Sequence, residues 1–231
     1  MIKSAISQYL YRKYSTSFSQ GGEDVILAGL FSGRRNGFFV DVGAFHPYKL
    51  SNTYLLYKKG WSGINIDAAP GSMEVFKKMR PRDINLEAAI SDVPEQMNYY
   101  YLGENNSMNT FSKEFLEQLD YQGKVQKTIT IHMQRLDSIF DQYVGNREID
   151  ILTIDVEGME IKVLNSNNWD KYRPNIILCE SFEAMNDENN YDLEVKKYLY
   201  DKGYKVVCKT LNGIFFLRGD RTLNQYNHIN F

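Results

Sequence analysis

The sequence predicts an α/β domain built on a doubly wound, mostly parallel β-sheet. Short, continuously apolar runs end in polar residues, which is typical of strands covered on both faces. Helical stretches separate these runs, and parallel strands need such crossovers. Near the C-terminus, an Asn-Gly pair at 212–213 lies between two apolar runs. This pair predicts an antiparallel hairpin that closes the sheet.

The composition is that of one folded domain, with 231 residues of which 43% are hydrophobic and 24% charged. The 27 basic and 29 acidic side chains give a net charge of −2 without a basic stripe, so nucleic acid is not an expected partner. No apolar run approaches the roughly 18 residues that cross a bilayer, so no membrane span is expected. Cys179 and Cys208 lie in strand-like runs, which favours a disulfide-free, cytoplasmic protein.

Residues 1–18 are predicted to form an amphipathic helix, because Ile2, Ala5, Ile6 and Tyr9 recur at helical spacing. We expect this helix to dock on the domain or on a second copy of the chain. Docking on a second copy would make the protein a homo-oligomer. No Gly/Ser/Pro-rich linker follows, so residues 19–231 are predicted to be a single domain.

The first half of this domain alternates helices and strands. A helix is expected from residue 21 onwards, at the acidic Gly-Gly-Glu-Asp start, and Ser51-Asn52-Thr53 precedes a second helix. Pro81 ends a third helix. The predicted strands are 37–43, 63–67 and 84–90, and the predicted helices between them are 54–59 and 72–80.

The second half continues the alternation after an insertion at about residues 97–133. The insertion holds extended segments at 98–102 and 128–133, the latter with period-2 alternation, around a helix at 111–121. The remaining predicted strands are 149–155, 175–180, 204–208 and 214–217, and the remaining helices are 135–144, 159–164 and 192–202.

Acidic side chains follow several of the predicted strands. Ligands of open parallel sheets bind beyond the carboxyl ends of the strands. Like charges gathered at one edge are costly, so this array indicates a ligand or a metal. The polar residues at these ends are Asp41, Asp67, Ser91, Asp92, Asp155, Glu157 and Glu180.

The first strand ends in a tight glycine turn, Val40-Asp41-Val42-Gly43-Ala44, where the backbone can approach a ligand closely. The turn lacks the full G-x-G-x-x-G pattern that cradles a pyrophosphate, which argues against a nicotinamide-dependent sugar dehydrogenase. Asp67, at the end of the second strand, is placed to hold ribose hydroxyls. The pattern predicts a nucleoside ligand without a pyrophosphate, of which S-adenosylmethionine is the commonest.

An ordered set of motifs resembles the FkbM-type S-adenosylmethionine-dependent methyltransferases and covers roughly residues 19–182. The set consists of 19–24 (SQGGED), 39–44 (FVDVGA), 51–55 (SNTYL), 60–67 (GWSGINID), 89–92 (AISD), 136–139 (LDSI) and 154–160 (IDVEGME). The resemblance implies a Rossmann-like class I methyltransferase fold with a seven-stranded sheet. It also implies an enzyme that uses S-adenosylmethionine.

By this resemblance, the glycine turn faces the methionine part of the cofactor, Asp67 holds the ribose and Asp92 approaches the adenine amino group. Many family members have Glu-Pro where this chain has Asp67-Ala68, so a shorter side chain would hold the sugar here. The cofactor-binding residues expected from the resemblance are Gln20, Glu23, Asp24, Asp41, Gly43, Ala44, Ser51, Asn52, Thr53, Asp67, Ala68, Ser91 and Asp92.

Catalytic residues are expected beside the methyl group. Transfer to a hydroxyl needs a base to take the proton, or a metal to lower the pKa of the hydroxyl. The candidates are His46, Asp155, Glu157 and Glu180. Asp155 and Glu180 could also hold Mg²⁺ or Ca²⁺, and the sequence leaves both interpretations open.

The insertion is expected to select the acceptor, because loops over the carboxyl edge usually do so. Its Tyr101, Asn106, Ser107 and Asn109 offer an aromatic face and polar groups that suit a sugar. The family resemblance implies a sugar hydroxyl of a nucleotide sugar or a surface-polysaccharide precursor. The alternatives are another small metabolite, a phosphate-derived group, or a cofactor-binding scaffold without catalysis.

Overall fold

The structure is a computed structural model that describes residues 16–104, 106–181 and 191–225. Seven strands form the main sheet: β1 (Phe38–Val42), β2 (Ser62–Asp67), β3 (Ile84–Glu87), β7 (Ile151–Ile154), β8 (Ile176–Glu180), β9 (Tyr204–Lys209) and β10 (Gly213–Arg218). Their order across the sheet is β3-β2-β1-β7-β8-β10-β9. All neighbours are parallel except β10, which is antiparallel to both β8 and β9. The predicted doubly wound sheet with its closing hairpin is therefore confirmed.

Helices cover both faces of the sheet because consecutive side chains of each strand point to opposite faces. Val40 of β1 packs in a large apolar core with the helices at 136–143, 160–165 and 191–201. The adjacent Phe39 packs on the other face with the helices at 23–30 and 54–58. Each large apolar side chain buried in this way contributes about 1.5–3 kcal/mol to folding. The helices are α1 (Glu23–Leu30), α2 (Tyr54–Lys58), α3 (Met73–Met79), α4 (Lys113–Gln118), α5 (Leu136–Tyr143), α6 (Glu160–Asn165) and α7 (Tyr191–Asp201), with 3₁₀ turns at Gln122–Lys124 and Leu223–Gln225.

A second, three-stranded sheet has the order β4-β6-β5. It comprises β4 (Ala89–Ile90), β5 (Gln96–Tyr101) and β6 (Lys127–Gln134), so most of it is the predicted insertion. The prediction of one continuous strand at 84–90 is wrong. The Ala88 N–H still donates to the Asp67 carbonyl of β2, at 3.0 Å, but from Ala89 onwards the chain pairs with β6. Residues 84–90 therefore connect the two sheets.

The hairpin turn is closed by the Thr210 N–H, which donates to the Gly213 carbonyl at 2.8 Å. The predicted N-terminal helix lies, as far as residue 15, outside the described residues, and residues 16–18 are not helical. Both cysteines are free thiols, as expected. Within the described ranges, none of the helices is long and apolar enough to cross a membrane.

Candidate active site

A cavity of about 310 Å³ opens at the carboxyl edge of the main sheet. That volume is at the lower end of the range usual for small-molecule sites. Its lining comes from the turns after β1 and β2, residues 88–90, the insertion, the segment after β7 and Gln20. Of the predicted site residues, it brings together Gln20, Gly43, His46, Asp67, Ala68, Tyr101, Asn106, Ser107, Asn109, Asp155 and Glu157.

Gly43 is required where β1 approaches β7. Its φ is +82°, and a Cβ built at this position would lie 1.7 Å from the backbone oxygen of Asp155. Its N–H donates to the Ile66 carbonyl at 2.9 Å. A side chain has no room here, and positive φ is costly for other residues. The glycine therefore brings the backbone of the β1 turn against the strand that carries Asp155.

Asp67 is held by the backbone at the end of β2. Its carboxylate accepts the N–H of Phe45 at 2.9 Å and the N–H of Ala69 at 2.8 Å. Phe45 itself has φ +51°, so the turn after Gly43 is shaped to make this contact. Burial raises the pKa of Asp67 above its ordinary value, and the two backbone donors only partly offset that effect. The carboxylate is thus fixed in direction, with its remaining acceptor capacity facing the cavity.

Asp41 lies within β1 and does not line the cavity. Its carboxylate accepts the hydroxyl of Thr53 at 2.6 Å and that of Thr153 at 2.5 Å. The buried Arg80 in turn donates to the Thr53 hydroxyl at 3.0 Å. Asp41 therefore joins β7 to the start of α2 behind the glycine turn, a contact that the sequence motif did not reveal.

The segment before α1 covers the same edge of the sheet. The buried Asp24 accepts the hydroxyl of Ser17 and the N–H of Phe18, each at 2.7 Å. Glu23 accepts the Thr210 hydroxyl at 2.6 Å and so ties α1 to the hairpin. Glu23 and Asn52, together with Glu180, line a smaller recess beside the main cavity.

Four further predicted cofactor residues lie beside the cavity wall without lining it. Ser51 accepts the N–H of Tyr54 through its hydroxyl, at 3.1 Å, and Ala44 packs on α3. Ser91 is buried, and its hydroxyl lies 3.2 Å from a carboxylate oxygen of Asp92. Ile90, just before this pair, does line the cavity.

Three carboxyl groups meet beyond the ends of β7 and β8. One oxygen each of Asp155, Glu157 and Glu180 lies within 4.8 Å of the others, and we call this group the acid cluster. Burial and the nearby Glu160 raise the pKa of Asp155 to about 7, and burial and Asp155 raise the pKa of Glu157 to about 9. Burial, with Asp155 next, raises the pKa of Glu180 as well. The cluster therefore does not carry three full negative charges at neutral pH.

His46 follows the glycine turn and faces the cavity. Its Nδ1 accepts the N–H groups of Tyr48 and Lys49, both at 3.2 Å. Burial, and then the charge of Lys49, lowers the pKa of the imidazole. A neutral ring that accepts at Nδ1 carries its proton on Nε2. In this form His46 is a hydrogen-bond donor through Nε2.

The insertion supplies the wall opposite the sheet. The amide oxygen of Asn109 accepts the N–H of Leu102 at 2.7 Å, and that of Asn106 accepts the N–H of Met108 at 3.0 Å. Tyr99 also lines the cavity but was missing from the predicted site residues. It precedes Tyr101 by two residues on β5, so strand periodicity could have identified it. Phe45 and Phe111 were missed too, and no sequence signal marks them.

An open sheet with a glycine turn, a second-strand aspartate and an acid cluster around one cavity is the arrangement in which α/β proteins bind a ligand at the carboxyl edge of the sheet. A family model of the methyltransferase FkbM domain matches residues 41–206, which is more than half of the chain. The chain therefore belongs to the FkbM methyltransferase family. This membership confirms the family resemblance.

Solved structures similar to this chain are methyltransferases of distant sequence. The methyltransferase FkbM from Methylobacillus flagellatus KT shares 11% identity over 87% of this chain and 48% of that chain, with a TM-score of 0.50. This chain thus spans about half the length of that protein. Fibrillarin from Aeropyrum pernix, in complex with S-adenosyl-L-methionine, shares 11% identity over 83% and 74% of the two chains, with a TM-score of 0.42. The O-methyltransferase from Bacillus cereus, in complex with SAH, shares 11% identity over 92% of this chain and 88% of that chain, with a TM-score of 0.40. No curated protein matches the sequence.

Proposed function

We propose that the chain is an S-adenosylmethionine-dependent O-methyltransferase that methylates a hydroxyl group of a saccharide. The observation that carries this proposal is a single cavity with two chemically different ends. One end holds Asp67, after β2, and the other holds Asp155 and Glu157, after β7. Gly43 lies between them, after the central β1. A cofactor and an acceptor bound at these two ends would meet within the cavity, as methyl transfer requires.

The cofactor end fits a nucleoside cofactor. Gly43 leaves room for close approach, and the fixed Asp67 carboxylate has acceptor capacity for ribose hydroxyls. Gln20 and Ala68 line the same space, so we place the cofactor against these four residues. When bound, S-adenosylmethionine supplies a methyl group activated by the positive sulfonium, and acidic residues around the cavity favour that charge. Asp24, Asp41, Ser51 and Thr53 support this end through hydrogen bonds to the chain.

The acceptor end fits a hydroxyl nucleophile. A carboxylate of the acid cluster would take the proton from the hydroxyl. The hydroxyl oxygen would bond to the methyl carbon as the bond between that carbon and the cofactor sulfur breaks, with S-adenosylhomocysteine as the leaving group. Asp155 and Glu157 are the two cluster members that line the cavity, so we assign them the contact with the acceptor. His46 donates through Nε2, which suits an orienting role toward a hydroxyl oxygen rather than that of the base.

The charge of the cavity favours an acceptor that is uncharged where it binds. Its described lining includes Asp67, Glu104, Asp155 and Glu157, and none of the described lining residues is Lys or Arg. A phosphate group in this space would meet carboxylates without a Lys or Arg side chain to pair with. We therefore favour a neutral saccharide unit, as in a polysaccharide precursor, over acceptance of a phosphate-derived group. A nucleotide sugar would keep its diphosphate outside the cavity.

Calorimetric titration of the purified chain tests the cofactor assignment. Binding of S-adenosylmethionine and of S-adenosylhomocysteine, without binding of NAD, is the expected result. Binding of NAD alone would contradict the proposal. A mass-spectrometric screen of neutral saccharides, nucleotide sugars and sugar phosphates then tests the acceptor. We expect the neutral saccharides to gain the mass of one CH₂ unit in preference to the nucleotide sugars and the sugar phosphates. The cytoplasmic location and the homo-oligomer stay predictions.

A further inference from the structure

The acid cluster is arranged by two neighbouring strands and one strained residue. Ile154 of β7 pairs with Cys179 of β8, so Asp155 and Glu180 leave the sheet side by side. Glu157 adopts φ +52°, an uncommon conformation for a non-glycine residue. This conformation lets a third carboxylate oxygen lie within 4.8 Å of the other two. Strain of this kind persists where the surrounding structure holds it, often at functional sites.

Two of these carboxyl groups each have one buried oxygen without a hydrogen-bond partner. Glu157 is only 7% exposed, and its Oε2 has no hydrogen-bond partner. The Oε2 of Glu180 is buried and unpartnered as well. Buried polar atoms are almost always satisfied, so each of these oxygens calls for a ligand. The carboxylates that surround Asp155, namely those of Glu160, Asp41 and Glu23, add negative charge.

We propose that Asp155, Glu157 and Glu180 bind a hard divalent cation of the Mg²⁺ or Mn²⁺ type. All three ligand groups offer oxygen, which these ions prefer, and the cation would satisfy the two unpartnered oxygens and offset the charge. Three protein ligands leave coordination positions open, as in sites that bind a substrate oxygen.

This site deepens the proposed function and rests on it for its role. Asp155 and Glu157 face the main cavity, whereas Glu180 and Asp155 line the smaller recess, so the cation would lie at the acceptor end. There it would bind the acceptor hydroxyl and lower its pKa. Saccharides with two adjacent hydroxyl groups would be the preferred acceptors, because both oxygens can reach one ion.

Manganese binding tests the proposal without any need for turnover. The full chain, treated with a chelator and dialysed, is titrated with Mn²⁺ and free Mn²⁺ is read by electron paramagnetic resonance. We expect one bound Mn²⁺ per chain, displaced by Mg²⁺. Glu157→Gln and Glu180→Gln should each weaken Mn²⁺ binding by at least about tenfold. Glu194→Gln, at an exposed position on α7, should leave it unchanged.

The outcomes separate this proposal from the cofactor assignment. No Mn²⁺ binding by the wild-type chain, or binding that neither cluster substitution changes, would overturn the cation site. S-adenosylhomocysteine is titrated into the same metal-free sample. If it binds while Mn²⁺ does not, the cation site falls and the methyltransferase proposal stands. If Mn²⁺ binds and S-adenosylhomocysteine does not, the cation site stands and the methyltransferase proposal falls. Circular dichroism of each variant checks that it is folded.

Discussion

Carboxyl side chains at the two ends of the cavity differ in whether the chain itself supplies their hydrogen-bond partners. At the cofactor end, Asp41 and Asp67 each accept two hydrogen bonds from the chain itself. In the acid cluster, Glu157 and Glu180 each keep a buried oxygen without a partner. Burial alone therefore does not distinguish structural from chemical carboxylates. The difference lies in whether the fold or a ligand supplies the partner.

The largest effect is expected from Asp155→Asn, which removes a carboxylate of the acid cluster with little change in shape. Turnover with a saccharide acceptor identified by the mass screen should fall by about 10³-fold, since proton transfer loses its acceptor. The exposed Glu194→Gln serves as the matched control. Full turnover by Asp155→Asn would mean that the acid cluster is not the acceptor end.

Gly43→Ala should destabilise the fold at the junction of the two ends. The new Cβ would collide with the Asp155 backbone, and the residue would be held at positive φ. We expect a loss of about 3 kcal/mol in the free energy of unfolding, measured by urea denaturation. Gly29→Ala is the control, because a Cβ there has no neighbour within 4 Å and alanine favours the helix. Equal stability of the two variants would contradict the close approach.

Acid should weaken cofactor binding through Asp67. The carboxylate form of Asp67 accepts the ribose hydroxyls. Because burial raises its pKa above the ordinary Asp value of 3.8, affinity for the cofactor should begin to fall on acidification while the pH is still above 3.8. Between about pH 8 and pH 4, calorimetry should record a loss of about tenfold in S-adenosylhomocysteine affinity. The variant Asp67→Asn should bind weakly at every pH. A wild-type affinity independent of pH would rule out this role.

The smallest effect is expected from Asp92→Ala. The structure places Asp92 next to Ser91 and Arg135, outside the cavity lining. Its removal should change S-adenosylhomocysteine affinity by about twofold or less, as for other residues away from the ligand. A loss of tenfold or more would restore the contact with adenine that the family resemblance implies.

The sequence predicted the sheet, its hairpin and the acidic strand ends because each has a local signal. Apolar runs mark the strands, the Asn-Gly pair marks the hairpin turn, and polar residues mark the strand ends. The break of residues 84–90 at Ala88 has no such signal, because pairing with β6 depends on residues about 40 positions later.

The hydrogen-bond partners of the site residues could not be predicted from the sequence either. Asp41 and Asp155 both follow the pattern of an acid at a strand end. Thr153 donates a hydrogen bond to Asp41, whereas Asp155 lies beside Glu157 and Glu180, each of which has one buried oxygen without a partner. The position of the proton on His46 depends on two backbone N–H groups that its loop directs at Nδ1. Such differences arise from three-dimensional contacts and not from residue type.

The division of the cavity into two ends is tested most directly by one side-by-side titration. S-adenosylhomocysteine is titrated calorimetrically into Asp67→Asn and Asp155→Asn, with the wild-type chain as reference. We predict that Asp67→Asn binds about tenfold more weakly, whereas Asp155→Asn stays within about twofold of the wild-type affinity. Weak binding by Asp155→Asn together with wild-type binding by Asp67→Asn would contradict the account.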